Sequence, residues 1–153
     1  KQMRWIVLIV ALLYVTLAQL ASAAPSNSPA SGGEVCLSRE EAITLIAHKA
    51  DIEHHEPPWV KARIWAIADR GSGMQHCWPN GRVKVSSTED YGLLQFNGRG
   101  VWCNCLVNPH CHEPALIGDP AAQVDVMLNY FDKYGDFCPW NPSGNYAPGC
   151  GYR

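Results

Sequence analysis

Within the run Ser87-Thr88-Glu89-Asp90-Tyr91-Gly92-Leu93-Leu94-Gln95-Phe96-Asn97, and the Trp102-Cys103-Asn104 that follows it, the chain brings a carboxylate, an amide pair and an aromatic close together. Carboxyl groups in pairs are what glycosidic cleavage requires. One delivers a proton to the departing oxygen, and the other stays negative beside the oxocarbenium-like centre. The proton donor is kept protonated near neutral pH by an apolar pocket, while its partner remains solvated and charged. Asp90 is a candidate for the second role.

A different chemistry is suggested by His76-Cys77, Cys103-Asn104-Cys105 and His110-Cys111-His112, which gather the ligand types that zinc prefers. Spacing argues against it, because no Cys-x₂-Cys pair occurs. A zinc-binding structural or interaction domain is therefore kept as the alternative from another class, and the site expectation is no metal and no cofactor.

The elements that must position these residues carry their own punctuation. Ser38-Arg39-Glu40-Glu41 is a capping box, and the apolar run Ile43, Ile46, Ala47, Ala50 after it predicts a helix from Ser38 to about Lys49. A second helix should start at Pro57-Pro58, continue through Val60, Ile64 and Ile67 at helical spacing, and end at Gly71 and Gly73. Gly71 lies four residues beyond Ile67, so position 71 should face the same way as that stripe. Pro79-Asn80-Gly81, with Val83 and Val85 alternating after it, predicts a small strand-rich excursion to about Asn97 with Asp90 at its tip. Asp119-Pro120 should start a third helix with Val124, Leu128 and Phe131 on one face, ending near Gly135.

The stretch from Ser87 to Asn104 resembles the active-site hairpin of lysozymes, the type case for paired carboxylates of unequal acidity. By resemblance to animal lysozymes, Asp90 matches the second carboxylate, Gln95 and Asn97 the cleft-lining amides, and Trp102 the aromatic beside the following cysteine. Tyr91 joins them as a substrate-binding residue, and one extra residue stands between Asn97 and Cys103. The chain is also similar to bacterial lytic transglycosylases through Ala66-Ile67-Ala68, Ser72-Gly73, Gly92-Leu93-Leu94-Gln95 and the helix end Tyr134-Gly135-Asp136. The resemblance covers roughly residues 39 to 136. It implies an α+β, predominantly α, lysozyme-like two-lobed domain with a small β excursion. The implied partner is a β-1,4-linked glycan of peptidoglycan or chitin-like type.

In those families the acid ends a helix reading Ala-Ile-Ala-x-x-Glu-Ser-Gly. Here the helix reads Ala66-Ile67-Ala68-Asp69-Arg70-Gly71-Ser72-Gly73, so Gly71 stands at the position of the acid. General acid catalysis contributes about 10²–10⁴-fold, and its loss implies weak or absent turnover. Asp69 should point about 200° round the helix from position 71, and Glu89 to the opposite face of its strand from Asp90. The alternative is an active glycosidase using Asp90 and an unrecognised acid, such as Glu113. Trp102 has a bland reading as a core aromatic, and Gln95 and Asn97 as turn residues satisfying backbone groups.

Residues 1–23 read as a secretory signal: basic at Lys1 and Arg4, apolar from Trp5 to Leu20, and small at Ala21-Ser22-Ala23. No charged stop-transfer pattern follows, which disfavours a membrane anchor. Residues 24–33 should be a flexible lead-in to one domain over 34–153, since the 130 residues left after the signal suit a single core. Of 12 basic groups, Lys1 and Arg4 leave with the signal, so 10 face 14 acidic ones and the balance is −4. Net charge thus supplies no attraction to nucleic acid, and no nucleic-acid motif is present. All seven cysteines follow the signal, which predicts three disulfides and one odd thiol in an extracellular protein. Connectivity is open. A Cys36–Cys150 bridge would close a long loop and stabilise by on the order of 4 kcal/mol.

Overall fold

Ser38 opens the first helix as its capping box predicts. Its hydroxyl accepts from Glu41 N at 3.2 Å, and its own backbone N–H donates to Glu41 Oε2 at 2.8 Å. The Ser38 backbone N–H, and after it the Ser38 side chain, hold the Glu41 carboxyl below the usual range. The computed structural model describes residues 35–140. The expected signal and lead-in, and the partner proposed for Cys36 at position 150, lie outside the described residues.

Helix α1 (Arg39–His48) passes directly into a π-helical turn, Lys49–Glu53, which buries Ala50. The chain then swings through His54, His55 and Glu56 into α2 (Pro58–Ser72). Pro58 takes the first turn, where a missing N–H costs nothing. The buried stripe of α2 is Val60, Ile64, Ala68 and Ser72, one residue every helical turn. Ile67 is half-buried and Gly71 exposed, so these two flank the stripe. Gly73 ends the helix at φ 68°, the left-handed geometry that glycine adopts without a Cβ clash. The last carbonyls of the helix are covered by cations, Lys84 Nζ on Ser72 O at 2.8 Å and Arg39 on Gly73 O at 3.3 Å.

The strand-rich excursion is sparser than the alternation of Val83 and Val85 suggests. Strands β1 (Asp90–Tyr91) and β2 (Phe96–Asn97) pair antiparallel, with Asp90 opposite Asn97 and Tyr91 opposite Phe96. Cys77 with Val83, and Val85 with Tyr91, contribute isolated bridges. Asp90 therefore sits at the open end of the hairpin, not at its tip. The tip is Gly92–Gln95.

Helix α3 (Pro120–Tyr134) starts as expected, with Asp119 Oδ1 accepting from Ala122 N at 2.9 Å, and stops at Gly135 with φ 71°. Val124 and Leu128 are buried and Phe131 half-buried. Short 3₁₀ turns at Val101–Cys103, Pro114–Gly118 and Cys138–Trp140 complete the described chain. Ile46, Ile64, Leu93, Leu94, Phe96 and Leu128 lie in one core drawn from all three helices and the hairpin. Each such side chain stabilises by roughly 1.5–3 kcal/mol on burial. The described fold is α+β and mainly α. No helix among the described residues is long and apolar enough to cross a membrane.

Cys36 is bonded to Cys77, which replaces the expected Cys36–Cys150 closure by a shorter loop of separation 41. Cys105 bonds Cys111, at separation 6. Cys138 is disulfide-bonded too, and Cys103 is a free, exposed thiol.

Candidate functional site

The hairpin tip is held from beneath by two buried polar side chains, His76 and Gln123, neither of which exposes any surface. His76 Nδ1 accepts from Leu93 N at 3.1 Å while Nε2 donates to Gly118 O at 2.7 Å, a pairing that places the ring proton on Nε2. Gln123 Oε1 accepts from Leu94 N at 2.9 Å, and its Nε2 donates to Tyr91 O at 2.9 Å and Ile117 O at 2.5 Å. This clamp ties the tip to α3 and to the 3₁₀ turn before it. Glycine at 92 is obligatory here: φ is +68°, and a Cβ would lie 2.5 Å from Gln123 Nε2 and 2.6 Å from His76 Cε1.

The end of α2 meets the same tip. Ser72 Oγ donates toward Leu93 O at 2.8 Å and Ala68 O at 2.9 Å. A Cβ built on Gly71 would meet Gln95 Cγ at 3.2 Å, so position 71, exposed beside the buried stripe of α2, faces Gln95. Gln95 adopts φ 52°, and its Nε2 donates to Gly92 O at 2.7 Å. A non-glycine residue held in the left-handed region costs on the order of 1–2 kcal/mol, and functional sites are where such strain gathers.

Asp90 is half-buried and oriented by hydroxyls. Its Oδ2 accepts from Ser86 Oγ at 3.0 Å and from Thr88 Oγ1, and its backbone N–H donates to Ser86 Oγ at 3.1 Å. Asn97 Nδ2 donates to Thr88 O at 2.8 Å, which leaves that amide bracing the loop above Asp90. Tyr91 is half-buried beside it. Ser86 and Thr88 were not singled out from the sequence; they meet Asp90 through a turn, in which Glu89 N donates to Ser86 O at 3.1 Å and Thr88 N to Ser86 Oγ at 3.2 Å.

Trp102 requires a correction. Its side chain is 2% exposed and packs edge-on against Phe96 at 5.7 Å between ring centroids, so it offers no stacking face. The indole belongs to the 3₁₀ turn at Val101–Cys103 and packs against Phe96 of β2, whose ring in turn meets Trp140 edge-on at 5.1 Å. Its buried Nε1 has no partner. Trp78 is an exposed aromatic, with Lys84 Nζ 4.8 Å over its ring while the same amine caps α2.

The candidate acids are engaged elsewhere. Asp69 pairs with Arg39 at 2.9 Å, Glu89 with Arg99 at 3.5 Å and Glu113 with His110 at 2.8 Å, all on the surface. None of these is the protected carboxyl that proton donation needs. The carboxyl that is pushed up to about 7 is Glu56, by burial first and then by a hydrogen bond and charge repulsion from Asp132. It precedes α2, whereas Gly71 lies in the last turn of that helix, and a 15-residue helix is roughly 22 Å long. Glu56 is too far from the hairpin to serve there. A surface depression of about 520 Å³ is lined by Cys105, Leu106, Val107, Pro109, Asn129, Asp132 and Lys133, and includes no hairpin residue.

The zinc alternative on the cysteine-rich loop loses its ligands to oxidation. Cys105 and Cys111 converge with His112, but the two sulfurs are bonded to each other and supply no thiolate. Comparison of the chain with protein-family models, with curated proteins and with solved structures finds no match.

Proposed function

We propose that this chain is a secreted, lysozyme-like, two-lobed domain that holds a β-1,4-linked peptidoglycan or chitin-like glycan, with weak or absent turnover. The observation that carries this reading is the meeting of α2 with the hairpin. The side-chain-free Gly71, which the family resemblance aligns with the proton donor, faces Gln95, whose Cγ lies 3.2 Å from a Cβ built there. Asp90, oriented by Ser86 and Thr88, supplies the second carboxylate, and Tyr91, Gln95 and Asn97 supply polar edges for sugar hydroxyls. The family resemblance of residues 39 to 136 gives the glycan class. Trp102 is not among the binding residues proposed, because its ring is in the core.

Retention of binding without a general acid is chemically consistent. Contacts to a ground-state sugar need hydrogen-bond partners and shape, whereas cleavage needs a proton delivered in the transition state. The test is binding and cleavage on one preparation, with soluble peptidoglycan fragments and chitin oligosaccharides. Saturable binding lost on Asp90→Asn or Gln95→Ala, without new reducing ends, supports the reading. Absence of binding to both glycans contradicts it.

A further inference from the structure

At the other end of α2 from the hairpin, His54 and Glu56 flank the turn that leaves the π-helical segment, and Asp132 faces them from α3. One ligand atom from each of these three side chains lies within 4.8 Å of the other two. His54 Nδ1 and Asp132 Oδ2 are already 3.0 Å apart. Donor atoms around a divalent ion at about 2.0–2.2 Å are separated by roughly 3 to 4 Å, so closing this cluster needs only small side-chain rotations. Glu56 N donates to Ala50 O at 2.7 Å and His54 N to Lys49 O at 3.0 Å, which fixes the backbone carrying two of the three donors.

We propose that His54, Glu56 and Asp132 form a binding site for a borderline divalent transition-metal ion of the zinc type. One imidazole with two carboxylates is a donor set for such an ion, whereas calcium and magnesium favour all-oxygen shells. A second observation points the same way. On the far side of the imidazole, Asp125 Oδ1 is buried without a hydrogen-bond partner and lies 3.9 Å from His54 Nε2. Metal-bound histidines commonly donate their other ring N–H to a carboxylate, which fixes the tautomer and strengthens the ligand. Asp125 takes that role once its Oδ1 closes the 3.9 Å gap to hydrogen-bond distance, while its Oδ2 is held by Lys49 Nζ at 3.0 Å. The bound ion would tie the turn after α1 to α3 and neutralise the adjacent Glu56 and Asp132 carboxylates.

The experiment is Zn²⁺ titration of the disulfide-intact chain by calorimetry, with Ca²⁺ as a competitor. The expected result is one Zn²⁺ per chain, at least tenfold weaker on His54→Gln, Glu56→Gln or Asp132→Asn and unchanged on His112→Gln, with Ca²⁺ not competing. Changes to groups that only hydrogen-bond a ligand cost about 10–100-fold in metal affinity, so loss of a ligand itself should cost no less. No uptake, uptake indifferent to all three substitutions, or uptake lost on His112→Gln overturns the proposal. Equal affinity for Ca²⁺ overturns it as well. Should the variants fold poorly, Co²⁺ added to the unsubstituted chain gives an independent readout by NMR. Paramagnetic shifts at the His54 ring support the site, and shifts at His112 without His54 refute it.

Discussion

Gly92 shows how much a single hydrogen atom in place of a side chain can matter at the hairpin tip. Its built Cβ falls 2.5 Å from Gln123 Nε2 and 2.6 Å from His76 Cε1, and both of those side chains are buried and hydrogen-bonded, so neither can yield cheaply. Gly92→Ala is expected to cost about 3 kcal/mol or more through the combined clash, left-handed strain and broken buried hydrogen bonds. Denaturant midpoints check this, and a loss below about 1 kcal/mol would show that the clamp is softer than drawn. The run Gly92-Leu93-Leu94-Gln95 was visible in the sequence as a motif, yet its physical reason was not. His76 stands out in the chain only as a zinc-type ligand beside Cys77, and Gln123 not at all, so nothing announces that they meet beneath the tip. Trp102 was illegible for another reason: tryptophan suits a core and a sugar face equally, and only its burial against Phe96 decides.

Helix α2 is the element that separates the two ends of the molecule's chemistry, with Gly71 at one and Glu56 just before the other. The burial of Glu56, and then its contacts with Asp132, raise its carboxyl from 4.5 to about 7. The folded state therefore holds this proton more tightly than the unfolded chain does. Its contribution to stability is fully present below about pH 4.5 and is lost as pH rises through about 7. Asp132 and His54, with Asp125 behind them, face the group from α3 and from the preceding turn. In chelator-treated protein, Glu56→Gln should flatten the fall in melting temperature between pH 5 and pH 8, roughly the window on either side of that titration. An unchanged pH profile would contradict the placement of the shift.

The helix boundaries were largely legible because their caps are chemical: Ser38 with Glu41, Pro58, Gly73, Asp119 with Pro120, and Gly135. The π-helical turn at Lys49–Glu53 was not, since its residues are ordinary helix formers and the altered hydrogen-bond step has no composition of its own. The strands were over-read for a similar reason. Val83 is buried but Val85 is exposed, and the chain there is fixed by isolated bridges and by Lys84, whose amine serves the end of α2.

At the scale of the whole molecule, cross-links divide the labour unequally. Cys36–Cys77 closes a separation of 41 residues and Cys105–Cys111 one of 6. By loop-closure entropy these are worth about 4 and about 2 kcal/mol. Cys36→Ala with Cys77→Ala should thus destabilise about twice as much as Cys105→Ala with Cys111→Ala in paired denaturant melts, and the reverse order would mean that local strain outweighs chain entropy. Seven cysteines signalled oxidation and one unpaired thiol, but the pairing itself depends on which loops approach. Cys36 is brought to Cys77 with the segment before α1 lying against the turn at Gly81, whose carbonyl oxygen is 3.1 Å from Cys36 Sγ.

The central claim is that position 71 lacks a proton donor in an otherwise glycan-directed site. A side chain there needs Gln95 to give by only a few tenths of an ångström, so Gly71→Glu is expected to fold. The direct measurement is release of reducing ends from purified peptidoglycan and chitin by the unsubstituted chain and by Gly71→Glu, side by side. Negligible release before the substitution, and a rise of about 10²-fold or more after it, is the predicted result. Efficient release by the unsubstituted chain, with nothing added by the glutamate, would contradict it.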